Sequence, residues 1–293
     1  MTDSTIPPAP LRLALPKGRM QQGVLTLLEA AGLPVRLGDR DYRPRLHLDG
    51  IEAKLLKPQN ILEMLVAGSR DLGFAGRDWL LELDADLVEL CDTGLDPVRI
   101  VAAAPPAVLV DGRLPRDRHL IVASEYENLT RRWIAAHELD ATFVHSYGAT
   151  EVFPPEDADV IVDNAATGDT LRANGLVVVD ELMRSSTRLF ANRGALDDPR
   201  RRPRIDAIVL LIRSVLDARA RVMLELNCTA AALPRIVEAL PCMRTPTVSP
   251  LHDGAGYAVK AAVPRARLAE LVPALKALGG TDLVVTPIAQ LVA

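Results

Sequence analysis

The chain has 293 residues, of which 49% are hydrophobic and 25% are charged, and its formal net charge is −4. This length suits two or three domains. The acidic balance and an aromatic content of 3% argue against the basic, base-stacking surface of a nucleic-acid-binding protein. No apolar run approaches the roughly 20 residues that a membrane-spanning helix needs, so we expect no membrane partner.

The N-terminus and the cysteines indicate the compartment. The first ten residues, MTDSTIPPAP, lack the basic and apolar regions of a secretory signal peptide. The three cysteines, Cys91, Cys228 and Cys242, are scattered and odd in number, which favours reduced thiols in a cytoplasm. The five histidines are also dispersed. We therefore predict a cytoplasmic protein without a metal site made of protein ligands.

The first predicted unit is a strand at 11–15, the basic turn Lys17-Gly18-Arg19 and a helix at 20–31. Further strands are predicted at 53–56, 71–76, 99–104, 119–123, 141–145, 160–162, 176–180 and 186–191, and further helices at 60–67, from Asp78 onwards and at 128–137. Because strands and helices alternate, we predict an α/β fold with a mostly parallel sheet. Ligand sites in such sheets lie at the carboxyl ends of the strands.

The C-terminal part follows a different pattern. Residues 193–204 are poor in apolar side chains and predict a break, after which a helix is expected at 205–219. The order is then strand, helix, strand, strand, helix, strand, at 222–226, 233–240, 246–251, 257–263, 265–278 and 282–288. This is the ferredoxin-like β-α-β-β-α-β arrangement. An appended domain of this kind is often regulatory, and oligomerisation alone explains it equally well.

The segment 159–176 has the order of elements that builds a phosphate site. An apolar strand ends at Asp163, and a loop of small and hydroxyl residues leads into a helix start. Backbone N–H groups at a helix start attract phosphate, Gly168 lets a ligand approach the backbone, and the hydroxyls of Thr167 and Thr170 can donate. Asp163 is placed to accept hydrogen bonds from ribose hydroxyls. An ordinary turn with Thr167 as N-cap explains the pattern equally well.

Seven segments, in the right order, resemble the ATP phosphoribosyltransferase family in its long form, the first enzyme of histidine biosynthesis. They are LALPKGR at 13–19, DLGFAGRDWLLE at 71–82, VRIVAAAP at 98–105, VASEYENLTRRW at 122–133, TGDTLRANGL at 167–176, RSSTRLFANR at 184–193 and TPTVSPL at 245–251. The resemblance covers nearly the whole chain.

The resemblance implies an activity. N1 of the ATP adenine would attack C1′ of phosphoribosyl pyrophosphate, giving phosphoribosyl-ATP and pyrophosphate, with histidine as the feedback inhibitor. Mg²⁺ would be carried mainly by the pyrophosphate. Such a displacement needs positioning and charge stabilisation more than proton transfer, and the sequence offers no obvious nucleophile–base pair.

The resemblance also assigns roles by position. Catalytic roles fall to Lys17, Arg19 and Asp163. Substrate-binding roles fall to Gly18, Asp71, Leu72, Gly73, Glu151, Thr167, Gly168, Asp169, Thr170 and Leu171, with residues 167–171 holding the 5′-phosphate and residues 71–73 lining the nucleotide pocket. The effector site would include Asn227, Met243, Thr247 and Ser249. Simpler explanations exist for these residues too: a solvated loop charge for Lys17, a helix-end charge for Asp71 and core or turn packing for the effector residues.

The implied architecture has two catalytic lobes, as in type II periplasmic binding proteins, and an ACT-like regulatory domain. Lobe I would comprise residues 1–100 and 181–216, lobe II residues 101–180, and the regulatory domain residues 217–293. The family assembles as a homo-oligomer, which we expect here between a dimer and a hexamer.

Four positions depart from the family pattern. Lys57 and Asn60 stand where arginine and aspartate are usual, and lysine lacks the bidentate fork of arginine. Asn164 replaces an aliphatic residue, and Asn227 stands where some long forms carry an acid. A non-catalytic small-molecule-binding protein or a regulatory paralogue on the same fold is the alternative. The basic turn and the intact TGDTL loop favour the enzyme.

Overall fold

The computed structural model describes residues 10–38, 42–46 and 48–292. They divide into two compact units, Met1–Thr26 with Pro34–Asp206 and Leu27–Leu33 with Ala207–Ala293. Within the described residues, no helix is both long and apolar enough to cross a membrane.

The described residues of the first unit form ten strands. They are β1 (Leu11–Pro16), β2 (Val35–Arg36), β3 (Arg45–Leu46), β4 (Ile51–Leu56), β5 (Leu72–Gly76), β6 (Val88–Ala104), β7 (Leu120–Ser124), β8 (Ala141–His145), β9 (Val160–Ala165) and β10 (Val177–Ala191). Its helices are α2 (Pro58–Val66), α3 (Arg77–Glu82), α4 (Glu127–Ala136), α5 (Asp169–Ala173) and α6 (Arg193–Asp197). Two more helices, α1 (Arg19–Ala30) and α7 (Arg202–Arg219), contribute residues to both units.

Eight strands form one mixed sheet in the order β4-β1-β5-β10-β6-β9-β7-β8. Strands β4, β1 and β5 are mutually parallel, as are β8, β7 and β9, whereas β10 and β6 run antiparallel to their neighbours. From each edge inwards, the three parallel strands of a flank follow the same order. The strand that is second in the chain is outermost, the first comes next and the third is innermost. The repeated order confirms the predicted two-lobed α/β fold.

The prediction of a mostly parallel sheet is right for each flank and wrong at the centre. Strands β6 and β10 have 17 and 15 residues and pair along almost their whole lengths. The sequence predicted only 99–104 in β6, which instead begins at Val88 and runs through Gly94 and Pro97, both typical turn residues. It also split β10 in two, and β10 instead runs unbroken with several register shifts. The predicted break at 193–204 contains α6 and the start of α7.

Each flank has its own apolar core. On one side, Ile61 and Leu65 from α2 pack with Ala14, Ala75 and Phe190. Helix α2 begins at a proline, which suits the first helical position because proline lacks an N–H. On the other side, the buried cluster includes Ile100, Val122, Tyr126, Trp133 and Val160. The two cores hold the carboxyl ends of the parallel strands in place.

The second unit has the predicted β-α-β-β-α-β order. Its elements are β11 (Arg221–Cys228), α8 (Leu233–Ala239), β12 (Thr247–Pro250), β13 (Tyr257–Pro264), α9 (Leu268–Ala277) and β14 (Thr281–Pro287). The sheet order is β12-β13-β11-β14 and every pairing is antiparallel. One face of the sheet is buried, with Leu224, Val259, Ile236 and Leu275 in its core. Side chains alternate between faces, so Glu225, Asn227 and Lys260 occupy the other face.

Candidate active site

The loop between β9 and α5 forms one wall of a cavity in the first unit. Gly168 precedes α5 with a φ of +78°, a conformation that other residues rarely adopt. A β-carbon added at Gly168 would meet only the Arg172 guanidinium, at 3.5 Å. The strand, loop and helix lie where the sequence predicted them, and the cavity reaches the loop backbone.

The cavity has a volume of about 310 Å³ and brings two distant segments to this loop. Arg19 from the start of α1 and Glu151 from the turn Thr150–Val152 line it, together with residues 163–171. The predicted site residues that share it are Arg19, Glu151, Asp163, Thr167, Gly168, Asp169, Thr170 and Leu171. Because Arg19 follows β1 and the loop follows β9, the cavity lies between the two flanks of the first unit.

Asp163 lies half-buried at the carboxyl end of β9. Its Oδ1 accepts hydrogen bonds from the Asn164 backbone N at 2.6 Å and the Asn164 side-chain amide at 3.1 Å. Burial raises the pKa of Asp163 to about 6; the backbone hydrogen bond lowers it, and the charges of Glu151 and Glu125 raise it further. Asp163 therefore changes its charge near neutral pH, as groups at functional sites often do.

Within the loop, the polar side chains bind one another. The Thr167 hydroxyl donates to Asp169 Oδ2 at 2.5 Å, and Asp169 Oδ1 forms an ion pair with Arg172. These hydrogen bonds and the charge of Arg172 lower the pKa of Asp169. An incoming phosphate would have to take the Thr167 donor from Asp169.

The basic turn follows the carboxyl end of β1. Gly18 has a φ of +77°, and the Lys17 backbone N donates to the Leu56 carbonyl at 2.9 Å. The Lys17 ammonium lies over the Tyr42 ring, 4.1 Å from its centroid. Of the three turn residues, only Arg19 lines the cavity.

Lys57 was noted from the sequence only as a departure from the family pattern, and its position beside the basic turn was not predicted. Lys57 follows β4, and β4 pairs in parallel with β1 so that Pro16 lies opposite Leu56. Lys17 and Lys57 therefore lie next to each other in register, each immediately after the carboxyl end of its strand. The sequence did contain a signal for this position, because a lysine follows each of the two short predicted strands at 11–15 and 53–56. Asn60 lies one turn further along, where its amide donates to Glu63 Oε2 at 3.0 Å.

The structure does not bring Asp71, Leu72 and Gly73 to the cavity. They lie at the amino end of β5, where Leu72 and Gly73 pair with Leu13 and Ala14 of parallel β1, whereas the basic turn follows the carboxyl end of β1. The Asp71 carboxylate, 1% exposed, binds the guanidinium groups of Arg12 at 2.7 Å and Arg201 at 2.8 Å. At Gly73 a β-carbon would lie 2.4 Å from Ile61 Cγ2. Ion pairing therefore explains the aspartate at position 71, and close packing explains the glycine at position 73.

The second unit brings together three of the four predicted effector residues. Asn227, Thr247 and Ser249 line a cavity of about 360 Å³ on the open face of the sheet. Met243 lines a separate cavity of about 340 Å³, which Thr247 also borders. The structure adds Asp282 to the first cavity, where its Oδ2 accepts a hydrogen bond from the Asn227 amide at 3.0 Å. No sequence signal pairs these two residues, because 55 positions separate them.

In the part of the chain that the structure describes, no group of three or more His, Cys, Asp or Glu side chains could hold a metal ion.

Comparison with known proteins identifies the family. A family model described as ATP phosphoribosyltransferase matches residues 57–214, and one described as HisG, C-terminal domain, matches residues 218–290. An ATP phosphoribosyltransferase of Chlorobaculum parvum is 36% identical over 275 residues, covering 92% of this chain and 93% of that protein. One of Pelotomaculum thermopropionicum is 33% identical, covering 96% of this chain and 99% of that protein.

A solved structure shows the same fold. It is described as the ATP phosphoribosyl transferase (HisG:HisZ) complex from Thermotoga maritima, and it matches with a TM-score of 0.61 and 26% identity. The match covers 69% of this chain and 98% of that chain. On these similarities, which span both units, the chain belongs to the ATP phosphoribosyltransferase family.

Proposed function

We propose that this protein joins N1 of the ATP adenine to C1′ of phosphoribosyl pyrophosphate, the first step of histidine biosynthesis. The products are phosphoribosyl-ATP and pyrophosphate. The observation that carries this proposal is the 310 Å³ cavity, in which Arg19 faces the loop 163–171, in a chain similar to ATP phosphoribosyltransferases over more than nine tenths of its length.

Residues 163–171 form the phosphoribosyl end of the proposed site. Helix α5 has only five residues, so its dipole is weak and the individual N–H groups of residues 167–171 act as donors to the 5′-phosphate. The Thr167 hydroxyl turns from Asp169 to the phosphate. Asp163, when ionised, accepts hydrogen bonds from the ribose hydroxyls. Glu151, which also lines the cavity, completes the ribose end.

The basic turn forms the pyrophosphate end. Arg19 offers a bidentate fork to phosphate oxygens, and Lys17 and Lys57 supply point charges at the ends of β1 and β4. Gly18 keeps the turn free of a side chain. Mg²⁺ enters with phosphoribosyl pyrophosphate, because it prefers substrate phosphates and water to a cage of protein ligands.

The chemistry is a displacement at one carbon. The bond from C1′ to the pyrophosphate oxygen breaks, its electron pair leaves with pyrophosphate, and the N1 lone pair forms the new bond to C1′. No proton has to move in this step. The chain contributes by orienting both substrates and by placing cations where negative charge collects on the leaving group.

We further propose that histidine inhibits the enzyme by binding in the second unit. The open sheet face carries Asp282 and Lys260, which match the ammonium and carboxylate of an amino acid, and the hydroxyls of Thr247 and Ser249. Met243, which borders the neighbouring cavity, contributes indirectly through Thr247. The proposal rests on these side chains and on the family match of residues 218–290.

We propose three functional domains: catalytic lobe I at 1–100 and 181–216, catalytic lobe II at 101–180 and the regulatory domain at 217–293. We propose that they act in a cytoplasmic homo-oligomer. The related Thermotoga structure is a complex with HisZ. The present chain contains its own C-terminal domain, which supports assembly without a separate regulatory subunit.

The test is the ultraviolet absorbance of phosphoribosyl-ATP formed from ATP, phosphoribosyl pyrophosphate and Mg²⁺, with pyrophosphatase present and with or without histidine. We expect product that decreases as histidine is added. Product that does not respond to histidine would retain the transferase and remove the effector site. An absence of product would instead favour a non-catalytic binding protein or regulatory paralogue.

A further inference from the structure

A buried carboxylate joins three elements of the first unit. Asp78, on α3, is 3% exposed. Its Oδ1 accepts a hydrogen bond from the Ser185 hydroxyl of β10 at 2.6 Å, and its Oδ2 accepts one from the Tyr126 hydroxyl, which immediately precedes α4, at 2.8 Å. Tyr126 is 2% exposed and Ser185 is 5% exposed. Helix α3 follows β5 in one flank of the sheet and α4 follows β7 in the other, so this carboxylate bridges the two flanks.

The same hydrogen-bond chain continues to the strand that carries Asp163. The Tyr126 backbone N donates to the Ser124 hydroxyl at 2.9 Å, and that hydroxyl donates to the Val162 carbonyl at 2.6 Å. Ser124 and Val162 are both fully buried. The chain therefore runs from α3 through Tyr126 to the residue immediately before Asp163.

Helix α3 also packs against the start of α4. The two carboxylate oxygens of Glu82 accept hydrogen bonds from the backbone N of Asn128 and of Leu129, each at 2.9 Å. A carboxylate is favourable there because helix N-termini carry partial positive charge. The Trp79 ring lies 4.7 Å from the Tyr126 ring, centroid to centroid. This packing allows the Tyr126 hydroxyl to be removed while its ring stays in place.

The burial of Asp78 is unfavourable for the stability of the fold. Among the described residues Asp78 forms no ion pair, and its side-chain partners are two hydroxyl groups. Buried carboxylates without a cation are unfavourable compared with apolar packing. Gly76 makes room for the carboxylate, since a β-carbon there would lie 2.1 Å from Asp78 Oδ1. Burial and the charge of Asp78 raise the pKa of Tyr126 well above its usual value, so Tyr126 stays a donor at working pH.

We propose that Tyr126 and Asp78 are positioning residues for phosphoribosyl transfer, which hold the loop 163–171 at its working distance from the basic turn at 17–19. This inference rests on the transferase activity proposed above. The phosphoribosyl end and the pyrophosphate end of the proposed site lie on opposite flanks, and a misplacement of about 1 Å can lower a rate about 100-fold. Neither residue lines the cavity. Tyr126 reaches the loop through Ser124 and Val162 and through a side-chain hydrogen bond with Asn164, which does line it.

The experiment compares steady-state kinetics of the wild type, Tyr126→Phe, Asp78→Asn and the double variant in the full chain. We expect each single variant to lower kcat at least about 10-fold. The double variant should lose no more than the worse single, because both residues belong to one chain of hydrogen bonds. Tyr257→Phe is the control, because it removes the same hydroxyl group from a half-buried tyrosine of the second unit, and it should retain full activity.

A pH profile separates positioning from folding. In the wild type, kcat/KM for phosphoribosyl pyrophosphate should increase through the pKa of Asp163, near 6. In Tyr126→Phe this inflection should move to lower pH, because a released loop exposes Asp163 to water. A variant that is only less stable would keep the inflection at the wild-type pH and lose activity in proportion to its unfolded fraction.

Three outcomes would overturn the proposal: wild-type kcat in Tyr126→Phe, additive losses in the double variant, or an unmoved inflection. If Asp78→Asn does not fold, Ser185→Ala removes a partner of the same carboxylate and replaces it in the comparison. An inactive wild type would overturn the transferase itself, whereas an active wild type beside a fully active Tyr126→Phe overturns only the positioning role.

Discussion

At the scale of single residues, Asp163 combines burial with a proposed role that requires charge. Its pKa of about 6 lies above the usual 3.8 because burial disfavours the carboxylate. In the proposed site the ionised form accepts hydrogen bonds from ribose hydroxyls, whereas the protonated form loses that capacity in part. We therefore expect the environment of Asp163 to link activity to pH.

Asp163→Asn should abolish the increase of kcat/KM near pH 6 and leave low activity at every pH. The same change should stabilise the fold at high pH. A raised folded pKa means that the folded state favours the protonated acid, so wild-type stability decreases as pH rises from about 4 to 6. The shift from 3.8 to about 6 corresponds to at most about 3 kcal/mol. Thermal unfolding at pH 3.5 and pH 8 checks this: equal gains at both pH values would contradict it.

Gly168 and Gly175 provide a matched pair for testing the loop. Both have positive φ, +78° and +69°, so valine is strained at each. Only Gly168 lines the cavity. We expect Gly168→Val to abolish binding of phosphoribosyl pyrophosphate, measured by calorimetry with Mg²⁺. Gly175→Val should cost similar stability and keep binding. Retained binding in Gly168→Val would show that the phosphate lies elsewhere.

At the scale of elements, Asp71 ties three segments together. It immediately precedes β5, and its partners are Arg12 on β1 and Arg201 just before α7. Arg12 could be anticipated as a neighbour once β1 and β5 were predicted to be parallel. Arg201 could not, because it lies 130 residues away in a segment that the sequence predicted as a break.

Asp71→Ala should therefore lower the free energy of unfolding by about 3–5 kcal/mol, since it leaves two arginines without their buried partner. Asp86→Ala is the control: its ion pair with Arg193 is well exposed, and such pairs contribute little. Urea unfolding followed by tryptophan fluorescence suits this comparison, because both tryptophans, Trp79 and Trp133, lie in the first unit. Equal losses in the two variants would contradict an anchoring role. Loss of ATP binding in Asp71→Ala without loss of stability would show that Asp71 belongs to the nucleotide pocket.

At the scale of the whole molecule, the proposed catalytic cavity and the proposed effector cavity belong to separate units. The cavity at 163–171 lies in the first unit and the cavity around Asn227 lies in the second. A change at the second cavity should therefore alter inhibition and leave the uninhibited reaction intact, which is the signature of coupling between distinct sites.

Thr247→Val should weaken inhibition by histidine several-fold without lowering the uninhibited rate. Asp282→Asn should act in the same direction, because it removes the carboxylate beside Asn227. Val248→Thr is the control: side chains alternate along a strand, so Val248 faces away from Thr247 and Ser249. The measurement is the histidine concentration that halves the rate, and unchanged values in Thr247→Val and Asp282→Asn would remove this cavity from the effector site.

Local patterns in the sequence determined most elements, the strand–loop–helix at Asp163 and the order of the ferredoxin-like unit. Periodicity, turn residues and short motifs depend on neighbours in the chain, so they are readable without a structure. The resemblance to the family rested on the same local segments, and the comparisons confirmed it.

Only the tertiary structure decided which distant residues meet. It paired β6 with β10 in antiparallel fashion, placed Arg201 on Asp71, set Asp282 beside Asn227 and joined Asp78 to Tyr126. Each of these contacts joins residues 48 or more positions apart, and a single sequence carries no local pattern for such a pairing. The carboxylates of Asp71 and Asp78 have their partners there because a polar group, once buried, needs one.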